Sequence, residues 1–189
     1  MTQISNNKRI AKNTLLLYFR MIFMMAVSLY TSRVVLDALG VEDFGIYNVV
    51  GGVITLFSFV NGAMSSSTQR YITFELGKGN TSQLQKVFQT SMNVHLLVAL
   101  LILFLGETAG LWFFYEKMVI PPLRMVSAFW VYQFSIFTMM IMVVSVPYNA
   151  VIIAHERMST FAYISVFEVL LKLGIVYLLY LTSSDKLIV

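Results

Sequence analysis

The chain has 189 residues, of which 58% are hydrophobic and 12% charged, and its mean hydropathy is +0.78. A soluble globular domain usually contains about 25% charged residues, so this composition excludes an ordinary water-soluble domain. The chain has no cysteine, which excludes disulfide bonds and thiolate metal sites. Its net charge of +4 does not indicate nucleic-acid binding, because the basic residues fall between apolar segments and membrane topology explains them better.

Five apolar segments follow one another along the chain. We predict membrane-spanning helices at about residues 13–36, 44–76, 82–106, 122–154 and 158–182. Charge-free runs at 44–69, 87–106 and 125–154 each exceed the roughly 18 residues that cross a hydrocarbon core of about 30 Å. The runs lack the alternation of barrel strands, so the predicted fold is an all-α, multi-span integral membrane bundle.

The first predicted span contains two arginines, Arg20 and Arg33. A guanidinium at the bilayer centre costs on the order of 2.5 to 3.5 kcal/mol on insertion scales, so each must face protein, water or the interface. Asp37 follows Arg33 by one turn, which favours snorkelling or a local ion pair, and Arg33 is also kept as a cavity candidate. Arg20 has no acidic residue within a turn, so it either snorkels inward or faces a cavity as an anion site.

The second predicted span carries a seam of polar and small side chains at Asn48, Thr55, Gly62 and Gln69, seven residues apart. Such residues permit close helix packing or border a wet channel. We assign the glycine to packing and keep Asn48 and Gln69 as cavity candidates.

Backbone signals predict where the next helices begin and end. Residues 77–79 (GKG) should end the second helix, and Ser82 with Gln85 has capping-box spacing for the third. The aromatic cluster at 112–115 favours a short interfacial segment, and the two prolines at 121–122 can open the fourth helix.

The last two predicted spans each contain one unusual feature. Pro147 removes a backbone donor inside the fourth span and should kink the helix near Val143, as structure or as a hinge. Glu168 and Lys172 form an i, i+4 pair in the fifth span. This pair either packs against a neighbouring helix or lines a cavity and responds to substrate or protons.

No catalytic or metal-binding motif is recognisable. His95 and His155 are isolated, and no nucleophile elbow, nucleotide loop or paired carboxylates appear. We therefore expect no enzyme activity, no cofactor and no metal site.

The distribution of basic residues predicts a cytoplasmic N-terminus by the positive-inside rule. The residues predicted to lie inside are Lys8, Arg9, Lys12, Arg70, Lys78, Lys86 and Arg157, and those outside are Lys117, Arg124 and Lys186. The first outer turn carries acidic residues at 37, 42 and 43, and a sixth span is expected to begin near 185–189.

Four short segments resemble a known transporter family. Residues 39–48 (LGVEDFGIYN) look like the first outer turn of polysaccharide flippases. Residues 67–70 (STQR) and 75–80 (ELGKGN) are similar to their first cytoplasmic turn, and 146–150 (VPYNA) to their fourth helix. These flippases belong to the multidrug, oligosaccharidyl-lipid and polysaccharide exporter superfamily.

The resemblance implies a MATE-like bacterial inner-membrane flippase of lipid-linked oligosaccharide, built from two helical lobes and working by alternating access. Residues 1–189 would form an incomplete N-terminal lobe, and its partners would be the missing C-terminal lobe, membrane lipids and the polyprenyl-diphosphate substrate. Arg20 would be the counterpart of the family's cavity cations, which are thought to engage the pyrophosphate. Alternatives are a drug or cation antiporter relying on Glu168, a non-transporting membrane scaffold, and a membrane transferase.

Overall fold

The computed structural model of the chain describes residues 2–55 and 58–181. Every regular element in these ranges is helical, without any strand. The helices are α1 (Thr2–Thr55), α2 (Ser58–Gly77), α3 (Thr81–Leu105), α4 (Leu111–Glu116), α5 (Met125–Ala154) and α6 (Met158–Leu181). A π-helical segment, Gly106–Gly110, joins α3 to α4, and a 3-10 turn, Pro122–Arg124, precedes α5.

Four helices within the described ranges are long and apolar enough to cross a membrane, and the all-helical fold that the sequence predicts is confirmed. They are Asn13–Gly52, Thr81–Glu116, Pro122–Ala154 and Met158–Leu178. Large apolar side chains such as Leu29, Phe104 and Phe167 cover their outer faces, an arrangement that suits lipid and not water. The second predicted span includes residues 56 and 57, outside the described ranges, but the chain on both sides of them is helical. The predicted end of the fifth span at 182 and the sixth span also lie outside these ranges.

The connection between the first two predicted spans is much shorter than expected. Helix α1 continues to residue 39, and only Gly40 leaves the helical region, with φ of 77° and ψ of 171°. Glycine adopts a positive φ without a Cβ clash, whereas the residues on either side of it remain helical. The break divides α1 into an N-terminal arm, residues 2–39, and a C-terminal arm, residues 41–55. The turn within the predicted connection at 37–43 is therefore confined to Gly40.

The turn between α2 and α3 follows the predicted glycines but has a different cap. Helix α2 ends at Gly77, and Gly79 takes the left-handed conformation with φ of 70°. The side chain of Asn80 accepts a hydrogen bond from the Gln83 amide at 3.1 Å and so caps α3. The predicted capping box at Ser82 is wrong because α3 has already begun at Thr81.

The helix of the third predicted span does not end at residue 106. Instead, the π-helical segment carries the chain on into α4, so the predicted aromatic segment is a continuation of the same helix. The Tyr132 hydroxyl donates to the Gly106 carbonyl oxygen at 2.7 Å, as a second donor beside the Leu111 backbone N–H. Phe114 of α4 is fully buried, while Trp112 is 58% exposed.

Helix α5 is central to the bundle and contacts α1, α2, α3 and α6. The core lies between α5, α3, α4 and the C-terminal arm of α1. Its most deeply buried members are Val50, Ala99, Phe114, Ala128, Tyr132, Ile136 and Val143.

Two contacts define the ends of the bundle. Asp43 meets Arg124 at one end, and the Phe88 and Tyr148 rings meet at the other, 5.5 Å between centroids.

Candidate functional site

The contact between α1 and α6 contains the strongest candidate from the sequence, Arg20. Its guanidinium carbon lies 4.3 Å from the centre of the Phe161 ring, and its Nε donates to the Met24 sulfur at 3.3 Å. Among the described residues Arg20 has no carboxylate partner. An aromatic face attracts the cation without neutralising it, so the guanidinium keeps its charge and most of its donors.

The depth of Arg20 follows from its partner on α6. Phe161 is the fourth residue of that helix and lies about 4.5 Å along the axis from its start. Farther along, the Tyr30 and Tyr177 hydroxyls share a hydrogen bond, so α1 and α6 run in the same direction. Arg20 therefore lies near the N-terminal end of α6 and not at the middle of the helix pair. A position near a helix end reduces the cost of its charge.

Arg33, Asn48 and Gln69 are not brought together with Arg20. Arg33 and Asp37 are both exposed, and the described residues show no ion pair between them. The Asn48 amide donates to the Phe44 carbonyl oxygen of its own helix at 2.7 Å. Gln69 is half-buried on α2. Their roles as cavity residues stay predictions.

Glu168 and Lys172 form the predicted ion pair, with 2.8 Å between Oε1 and Nζ. Their side chains are 55% and 59% exposed, so the pair lies on an open face of α6 and is not packed against a neighbouring described helix. Lysine neutralises the carboxylate locally, which weakens its attraction for a cationic ligand.

Pro147, the hinge candidate, lies inside the uninterrupted helix α5. Its ring is fully buried, as is Val143 one turn earlier. The packed surroundings show that Pro147 contributes to the contact surface of the central helix, and its role as a hinge stays a prediction.

A second polar cluster was missed by the sequence reasoning, at the π-helical segment. The Gln133 amide donates to Glu107 Oε2 at 3.3 Å, beside the hydrogen bond from Tyr132 to Gly106. The spacing of Gly106 and Gly110 was an available signal, because small residues four apart permit close helix approach. A Cβ on Gly106 would lie 2.7 Å from Ile136 Cδ1 and 3.2 Å from its Cγ1, so glycine allows α5 to approach closely here.

The ion pair between Asp43 and Arg124 was also missed. Asp43 Oδ2 and Arg124 Nη2 are 2.9 Å apart, and the Asp43 side chain is only 10% exposed. The other carboxylate oxygen, Oδ1, is buried without a hydrogen-bond partner among the described residues. This pair links the Gly40 break to the turn before α5, two connections that the charge pattern predicts to lie on the same side of the membrane.

The comparisons add no relative to this description. No protein-family model matches the chain, and searches of curated proteins and of solved structures found no similar chain. Within the described ranges no three His, Cys, Asp or Glu side chains cluster to hold a metal ion. The candidate functional site is therefore the α1–α6 contact around Arg20, a cation on an aromatic ring in an apolar helix pair.

Proposed function

We propose that this protein is a flippase that moves polyprenyl-diphosphate-linked oligosaccharide across the bacterial inner membrane by alternating access. The observation that carries the proposal is Arg20, a cation beside Phe161 at 4.3 Å with no carboxylate partner among the described residues. Guanidinium groups bind phosphate oxygens through paired N–H donors, so such a cation suits a diphosphate group. In a MATE-like arrangement these helices would belong to the N-terminal lobe.

The predicted topology gives Arg20 a specific role in this cycle. With a cytoplasmic N-terminus, the short turn at 155–157 faces the cytoplasm, and α6 begins there. Arg20 then lies near the cytoplasmic end of the helix pair, on the side where the lipid-linked substrate is assembled. We assign it the first contact with the diphosphate, before the lobes reorient.

The rival reading, a drug or cation antiporter, has less support from the charged groups. An antiporter for cations needs an acidic side chain that is available inside the membrane. Glu168 is the acidic residue well inside a predicted span, and Lys172 neutralises it at 2.8 Å. The charge balance along α1 and α6 therefore favours an anionic substrate group.

Deletion of the gene tests the proposal in the host. We expect lipid-linked oligosaccharide to accumulate on the cytoplasmic face and surface glycan to be depleted, because the donor cannot cross unaided. Normal surface glycan without an accumulated intermediate would contradict the assignment.

Variants of Arg20 then test the site. Loss of a hydrogen-bonded charge contact of about 1.5 to 3 kcal/mol should lower the transport rate roughly 10- to 100-fold in Arg20→Ala. Arg20→Lys should retain part of the activity, because it keeps the charge but loses the bidentate fork. The matched control is Arg70→Ala, which removes an exposed arginine of α2 that is not a cavity candidate and should transport normally. Equal activity in all forms would mean that Arg20 only snorkels.

A further inference from the structure

A groove of about 540 Å³ runs between α2 and α3. This volume falls within the range of about 300 to 1,000 Å³ that is usual for ligand pockets. Its lining includes Met64, Ser67 and Thr68 from α2, and Thr90, Val94 and His95 from α3. Gln83 lies next to the α2–α3 turn, and His95 lies at the other end of the groove.

His95 is the lining residue that indicates a bound ligand. Its side chain is 2% exposed, and its Nδ1 lies 2.7 Å from the carbonyl oxygen of Ser91. A carbonyl oxygen can only accept, so Nδ1 carries the proton, and in the neutral ring Nε2 is left with a lone pair. Nε2 is buried and has no hydrogen-bond partner among the described residues. A buried polar atom without a partner is destabilising, and a ligand donor would remove that cost.

The rest of the lining selects the kind of donor. Hydroxyls of Ser67, Thr68 and Thr90 can both donate and accept, and they alternate with apolar surface from Met64 and Val94. None of the described lining residues is acidic, and Lys86 at the turn end repels a cationic ligand. An anion would face the lone pair of Nε2. An uncharged hydroxyl donates to that lone pair and also suits the neighbouring hydroxyls.

We propose that the α2–α3 groove binds an uncharged amphiphile with a free hydroxyl group, such as a polyol lipid or an alkyl glycoside. Because His95 Nε2 is covered, neighbouring side chains shift to let the ligand hydroxyl donate to it. The remaining headgroup bonds to Ser67 and Thr90, and the apolar body packs on Met64 and Val94. This site is separate from the α1–α6 contact, and its occupancy does not depend on flippase activity.

Photolabelling in nanodiscs of phosphatidylcholine tests the site with the full protein. The probe is a monoacylglycerol with a diazirine on its acyl chain, and the comparison probes are the methyl ester and the free fatty acid of the same chain. We expect the monoacylglycerol to label peptides of α2 and α3, and the ester to label them roughly five- to tenfold less, the ratio for one lost hydrogen bond. Competition by octyl glucoside, set against competition by unlabelled monoacylglycerol, distinguishes a sugar headgroup from a glycerol headgroup.

Two variants and one matched control locate the binding. His95→Phe removes the acceptor, and Ala63→Leu narrows the groove while keeping His95, so both should lower labelling by roughly the same five- to tenfold. His155→Phe is the control, because His155 makes the same ring contact to a carbonyl four residues earlier, at 2.9 Å, but is exposed at the end of α5. It should label like the unmodified protein.

Three results would overturn the proposal. Equal labelling by the ester would show that no hydroxyl is recognised. Stronger labelling by the free fatty acid, lost in Lys86→Gln, would identify an anion site instead. Unchanged labelling in both His95→Phe and Ala63→Leu would place the ligand elsewhere. Glycan export is measured separately, so failure of the flippase proposal would leave this result standing.

Discussion

Replacing Gly110 by alanine should disrupt the contact between the π-helical segment and α5. A Cβ at this position would overlap the Tyr132 hydroxyl oxygen and lie 3.3 Å from Tyr132 Cζ. Tyr132 is 1% exposed, so its ring has little space in which to retreat. Its hydroxyl also donates to the Gly106 carbonyl oxygen at 2.7 Å, and moving the ring breaks that bond.

The expected loss of stability has two parts. Inserting a methyl group into a packed core usually costs about 1 to 3 kcal/mol. A hydrogen bond between membrane helices is worth about 0.6 kcal/mol on average, with an upper value near 1.7. Gly110→Ala should therefore lower the free energy of unfolding by about 2 to 4 kcal/mol.

Unfolding by sodium dodecyl sulfate in mixed micelles, followed by circular dichroism, measures this loss. Gly174→Ala is the matched control, because no atom lies within 4 Å of its added Cβ, and it should change stability by no more than about 1 kcal/mol. In the double variant with Tyr132→Phe the overlapping oxygen is absent, so part of the loss should be recovered. The reasoning fails if Gly110→Ala unfolds like the unmodified protein, or if Tyr132→Phe brings no recovery.

Two further substitutions test the ion pairs in the same unfolding assay. Arg124→Gln leaves the Asp43 carboxylate, 10% exposed, without its 2.9 Å contact. We expect a loss of about 1 to 3 kcal/mol, below that of a fully buried pair because Arg124 is 39% exposed. Adding Asp43→Asn to this variant should restore much of the lost stability, because no unpaired carboxylate is left. If the double variant is no more stable than Arg124→Gln alone, the ion pair does not stabilise the fold. Glu168→Gln should change stability by less than about 0.5 kcal/mol, since Glu168 and Lys172 are both more than half exposed, and glycan export should persist. If the protein instead shows ion-coupled efflux of organic cations and Glu168→Gln abolishes it, the antiporter function is favoured.

The local features of the fold were predictable because they depend on short stretches of chain. Long charge-free runs determine which segments suit lipid, and glycines such as Gly79 determine where a helix stops. The extent of the first turn was not predictable. Residues on both sides of Gly40 are polar enough for a loop. The local free energies of a loop and a helix differ only slightly there, so packing decides between them.

The candidate site was predictable only in part. Arg20 was identified because a guanidinium in an apolar segment is costly wherever it points. Its partner Phe161 could not be identified, since a helical pattern gives the direction of a side chain on its own helix and not the helix that it meets. Asp43 and Arg124 were missed for the same reason, because each lies in a connection that looks solvated when read alone.

Sequence alone determined that the chain is all-helical, with segments long and apolar enough to cross a membrane, because the free energy of placing apolar or charged side chains in lipid is summed over consecutive residues. Tertiary structure decided which polar groups meet. It paired Arg20 with an aromatic ring, joined Asp43 to Arg124 across two connections, and left the buried His95 Nε2 without a partner among the described residues. The reason is that hydrogen bonds and ion pairs act over only a few ångströms, so their partners are set by packing between helices distant in sequence.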